Sequence, residues 1–141
     1  MKTKTCVVIS AILLVATIVF ASLWYSVKNN KTDFKEMAQY EASTSYSSFV
    51  DFQSNSNESS YWQAVASFYS FEQSYYRYIE GANKSFNYIV SNEIYGYLLI
   101  SPEKCQSHIE DVIEIMDLLS KNVEDENAYL KMSNLRNILD E

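Results

Sequence analysis

Residues 5–27 carry no charge, and beyond them apolar side chains recur every three to four positions almost to the end of the chain. The first pattern is a continuous apolar run. The second is the mark of amphipathic helices. Between Cys6 and Phe20 the run is Val, Ile, Leu and Ala with two hydroxyl residues. A helix over 6–27 is roughly 30 Å long, the thickness of a bilayer core. Trp24 and Tyr25 follow, side chains that favour the headgroup boundary, and Lys28 and Lys31 close the span. The expectation is a short basic tail at 1–5, a transmembrane anchor at 6–27 in contact with lipid, and Trp24, Tyr25 and Lys28 at the membrane interface.

A cleaved signal peptide is the competing reading. Residues 1–5 then form its basic start, and Val19-Phe20-Ala21 offers a small-residue cleavage site. Basic residues are nearly balanced across the run, with Lys2 and Lys4 before it and Lys28, Lys31 and Lys35 after it. The tail is placed inside and residues 28–141 outside, so that the domain is extracytoplasmic, because this matches an ordinary export signal.

After the anchor, Phe34, Met37, Ala38, Glu41, Ala42, Ser45, Phe49 and Phe52 fall on one face of a helix over 32–53. A Ser/Asn loop at 54–60 follows, and Ser60 with Gln63 has the form of a capping box. Tyr61, Val65, Phe68, Tyr75, Ile79, Ala82, Phe86, Val90, Ile94 and Tyr97 then stay in phase at 100° per residue. That continuity predicts one long central helix over about 60–99, with Gly81 on its polar face as a place to bend. Ser101-Pro102 restarts the chain as an N-cap followed by Pro at the first helical position. The apolar face of 102–121 rotates by about half a turn beyond Asn122, so a break at 121–124 and a last helix over 124–140 are expected. The fold class is all-α: an N-terminal transmembrane helix followed by an antiparallel bundle of three to four helices.

Composition narrows the function. Two Gly and one Pro among 141 residues leave little material for turn-rich β folds or phosphate-cradling loops. All eighteen acids lie after the apolar run against nine of the eleven bases, a net of −9 there and −7 over the chain. Such a domain is repelled by phosphate backbones, so no nucleic-acid partner is expected. Cys6 and Cys105 lie too far apart in character, one in the run and one in the domain, to form a disulfide framework.

Three acids interrupt the apolar stripes, Glu41, Glu72 and Glu93, and are the expected polar core positions. A buried carboxylate needs a pairing or a metal. With one His and no Glu-x-x-His, a di-metal site is not indicated, and pairing with Arg77 or Lys84, or a head reaching water, is the simpler outcome. Cys105, His108 and Asp111 share one helix but lack a second Cys or His in the domain, so a zinc site is not expected. The acids of the C-terminal third do not follow calcium-loop spacing. Tyr88, Tyr95 and Leu99 lie on the polar face of the expected long helix and are either covered by the last helix or open to a partner. No metal, cofactor or catalytic residue is expected. Asn57-Glu58-Ser59 and Asn83-Lys84-Ser85 have the glycosylation pattern, which matters only in a eukaryotic secretory pathway.

The reading that follows is a non-catalytic, membrane-anchored helical module acting through a protein partner or self-association at the membrane or cell envelope. The alternatives are an extracytoplasmic ligand-binding or sensor bundle, and a cleaved, secreted helical protein. An enzyme is disfavoured by the single His and the lack of any nucleophile–base spacing.

Overall fold

The computed structural model describes residues 2–79 and 85–141, with side chains described from Thr17 onward. The expected anchor core at 6–16, Gly81, and the Asn83–Lys84 part of the second sequon therefore lie outside the described side chains. Among the described residues the chain is all-helical, with α1 (Lys2–Asn55), α2 (Glu58–Tyr78), α3 (Phe86–Ile100), α4 (Pro102–Ser107), α5 (Ile109–Lys121) and α6 (Glu126–Leu139). It divides into two units, residues 1–33 and 34–141.

In the first unit, Ile18, Val19, Phe20, Leu23, Trp24, Tyr25 and Val27 are all 49–77 % exposed. No helix among the described residues is long and apolar enough to cross a membrane.

Among the described residues the second unit is a five-helix bundle with α4 as a connector. α1 and α2 run antiparallel: Ser45 Oγ donates to the Ala64 carbonyl at 2.9 Å, and Phe49 meets the Tyr61 ring edge-on at 5.9 Å. Buried Ala38, Ala42, Ser45 and Ser48 on α1 leave no bulk to hold the helices apart. α1 also runs antiparallel to α5, with Gln39 donating to the Lys121 carbonyl and Gln53 to Glu110. α6 folds back on α5, where Lys131 pairs with Glu114 at 2.8 Å. α3 and α6 run parallel, tied by Arg136 to Glu93 and by the Tyr97 hydroxyl to Asp140. An odd number of helices closed into a ring cannot alternate throughout, and α3 beside α6 is where the alternation fails. The short α4 makes this possible. It carries the chain across the end of α6, and Lys104 Nζ donates to the Leu139 carbonyl at 2.9 Å, supplying one of the donors that a helix C-terminus lacks.

The long central helix over 60–99 is not observed. α2 ends at Tyr78, α3 begins at Phe86, and the two pack side by side in opposite directions: Tyr61 Oη donates to the Leu98 carbonyl at 2.9 Å, Tyr69 meets Tyr95, and Tyr76 meets Tyr88. The physical reason is arithmetic. The seven residues between the helices amount to two helical turns short by only about 20°. The apolar phase is therefore the same whether the chain continues or reverses. The local signal was at Ser85, whose side chain accepts from the Tyr88 N–H and caps α3.

Other boundaries differ in detail. α1 continues through 32–53 without a separate start. α2 opens at Glu58 and is capped by Asn57, three residues before the expected Ser60 cap, with the Asn57 side chain accepting from the Ser59 N–H. Ser60 instead donates to Asp51 across the turn, where Ser56 holds φ 51°. Ser101 sits at the N-cap of α4 and Pro102 opens it, but the serine hydroxyl makes no cap hydrogen bond. The segment 102–121 divides at His108. Asp125 caps α6, accepting from the N–H groups of Asn127 and Ala128.

Candidate functional site

The three interrupting acids meet three different fates. Glu93, on the outer side of α3, is exposed and pairs with Arg136 of α6 at 3.1 Å, so it is not a core position. Glu41 is half-buried and lines an open groove of about 360 Å³ between α1 and α2, with Phe34, Met37, Tyr69, Gln73 and Arg77. The Arg77 guanidinium rests 5.5 Å from the Phe34 ring centre, a cation–π placement that keeps it over α1.

Glu72 is the exception, at 1 % exposure. It points from the middle of α2 into the bundle, between buried Phe68, Phe71 and Tyr75 of its own helix. Among the described residues no Lys, Arg or His makes an ion pair with it. Its Oε1 has no hydrogen-bond partner, and neither has the Oγ of fully buried Ser91 on α3. Burial pushes the Glu72 carboxyl up to about 7, and the Ser91 hydroxyl facing it offsets only part of that rise. Tyr88 of α3 and Tyr129 of α6 lie close enough for a charge on Glu72 to raise their own phenols, although burial is the larger cause in both. Tyr129 donates to the Val123 carbonyl at 2.6 Å and stacks on Tyr75 at 5.9 Å. The hydroxyl therefore has an acceptor already. The buried acid is thus surrounded by aromatic rings and by the hydroxyls of Ser91, Tyr88 and Tyr129.

Tyr88 and Tyr95 are half-buried, and Leu99 is 48 % exposed. The cover over the two tyrosines comes from α2 rather than the last helix: Tyr76 meets Tyr88 at 5.1 Å and Tyr69 meets Tyr95 at 5.3 Å. The α2–α3 reversal thus turns the expected polar face into an aromatic seam. Trp24 and Tyr25 are exposed, 77 % and 67 %, as is Lys28.

Cys105 is fully buried, and burial pushes its thiol up to about 11, the opposite of what a nucleophile or metal ligand needs. His108 Nδ1 lies 3.6 Å from Asp111 on the surface. Among the described residues no group of three His, Cys, Asp or Glu is placed to hold a metal ion. Several C-terminal acids have partners: Glu124 binds Lys35 at 2.9 Å, and Asp117 binds Lys121 at 2.6 Å. The Glu124 carboxylate holds the Lys35 ammonium above its ordinary range, and Lys35 holds Glu124 below its own. The sequence marked Glu72 by its place on the stripe. It gave no sign of Ser91 opposite, because the two side chains face each other only after the chain reverses.

No family model matches this chain, and no curated protein or solved structure matches it.

Proposed function

We propose that the protein is a membrane-anchored helical module that works through protein contacts at the membrane or cell envelope, without catalysis. The observation that carries this reading is the bare apolar surface of α1 over 18–27. Seven large apolar side chains there are 49–77 % exposed, and such a patch in water is costly unless lipid or another protein receives it. The uncharged sequence over 5–27 and the Trp24, Tyr25 and Lys28 boundary favour lipid as that cover. The acidic bundle beyond it presents an aromatic seam suited to a protein partner.

The test is flotation of the full chain with neutral liposomes, together with its intact mass from cells. The expected result is a full-length chain in the floating fraction, and a Phe20→Lys, Leu23→Lys variant left at the bottom of the gradient. A wild-type chain that stays at the bottom defeats the anchor. A mass lacking about the first twenty-one residues supports the secreted alternative.

The α1–α2 groove favours the sensor reading as a second possibility. It brings the Glu41 carboxylate, the Arg77 guanidinium and the rings of Phe34 and Tyr69 around one opening, a mix suited to a small zwitterionic or aromatic ligand. A ligand there raises Tm in the wild type and not in Arg77→Ala.

A further inference from the structure

We infer that Glu72 is a buried proton-binding site through which pH sets how tightly α2 packs against α3. A protonated carboxyl has one O–H to donate, and the Ser91 oxygen on α3 is left without a partner. The neutral pair therefore completes itself across the α2–α3 contact. An ionised carboxylate only accepts, and the single Ser91 hydrogen cannot serve both of its oxygens.

The neighbours on every side deepen the imbalance. α3 contributes Tyr88 and Ser91, and α6 contributes Tyr129, whose hydrogen is already given to Val123. On α2 itself the flanking core residues are Phe68, Phe71 and Tyr75. Among the described residues no cation of α1 or α5 forms an ion pair with Glu72, and Lys35 and Lys121 are engaged by Glu124 and Asp117. A charge at Glu72 thus has no counter-ion, and the remaining source of donors is water.

Of the groups around the carboxyl, Glu72, Ser91 and Tyr129 are almost fully buried and Tyr88 is only half-buried. Tyr88 is therefore the side chain nearest to solvent, and its ring rests on exposed Tyr76 at 5.1 Å. Water reaches the carboxylate by loosening that ring pair, which belongs to the same seam that joins Tyr69 to Tyr95. Loss of the proton is in this way coupled to the surface proposed for a partner, although the inference itself requires no anchor and no partner.

The experiment uses the full chain in mild detergent. The carboxyl of Glu72 is followed by carbon-13 NMR, assigned by its loss in Glu72→Gln, and amide exchange of α2 and α3 is measured at pH 5.5 and 8.5 after correction for intrinsic rates. The expected carboxyl midpoint is near 7, with α2–α3 exchange faster by about tenfold or more at the higher pH in the wild type. Glu72→Gln holds the low-pH protection at both values. A midpoint at the ordinary 4.5, or an acceleration that survives in Glu72→Gln, overturns the inference. The wild-type titration stands even if that variant misfolds, with Ser91→Ala, expected to move the midpoint, as the second variant.

Discussion

Two helical hairpins stand in the same bundle and are built on different chemistry. α5–α6 buries Val112, Ile115, Met116, Leu119 and Val123 against Ala128, Met132, Leu135 and Leu139, with one tyrosine whose hydroxyl is satisfied. Its turn is fixed by Asp125, and its outer edge by Lys131 with Glu114. α2–α3 is made of rings, small hydroxyls and one carboxyl, and two of its buried polar atoms have no partner. The aliphatic hairpin has nothing buried to titrate below the tyrosine range, so its stability is nearly independent of pH. The aromatic hairpin carries a group whose charge state decides how well it packs.

The comparison is sharpest where a side chain is removed. Leu119→Ala opens a cavity in the aliphatic pair and is expected to cost about 3 kcal/mol, the same at pH 5 and pH 8, read by urea unfolding. A strongly pH-dependent cost breaks the contrast. Glu72→Gln works in the other direction. The folded carboxyl is raised to about 7 from an unfolded value near 4.5, so the folded state keeps its proton longer. Its contribution is full below pH 4.5, falls between 4.5 and 7, and stays low above that. The amide removes this loss, so the variant gains about 2 kcal/mol over the wild type at pH 8 and nothing at pH 4. That figure is below the roughly 3 kcal/mol implied by the shift, because a buried amide brings unmet hydrogens of its own. Equal stabilities at both pH values end the argument for a special α2–α3 pair.

Smaller effects test the fittings. Asp125→Ala removes the α6 cap and is expected to cost about 1 kcal/mol, seen as a lower urea midpoint with an unchanged slope. Arg136→Ala breaks the Glu93 pair at the parallel α3–α6 contact. This pair is partly exposed, so the loss is about 0.5 kcal/mol and fades in 1 M salt. A loss of several kcal/mol there makes that parallel contact a principal support of the bundle.

Much of the second unit was legible along the chain. The apolar stripes named most of its core, Pro102 marked the start of α4, and the half-turn rotation after Asn122 marked the turn into α6. The α2–α3 reversal was not legible, because a seven-residue connection restores the phase that a continuing helix would have. Glu72 and Glu93 were equally unreadable. Both interrupt a stripe, yet one is met by Arg136, forty-three residues further on, and the other is met by nothing charged.

Which residues are apolar, where they recur, and hence that the domain is helical with faces to bury, can be read along the chain alone. Periodicity and local propensity act over a few residues, and that information is complete within each segment. The direction of each helix, the parallel contact of α3 with α6, the cover over Tyr88 and Tyr95, and the isolation of Glu72 opposite Ser91 were set by long-range packing. Those depend on which distant segment arrives at a given face, and a side chain's charge, partner and solvent are set by that neighbour rather than by its own position in the chain.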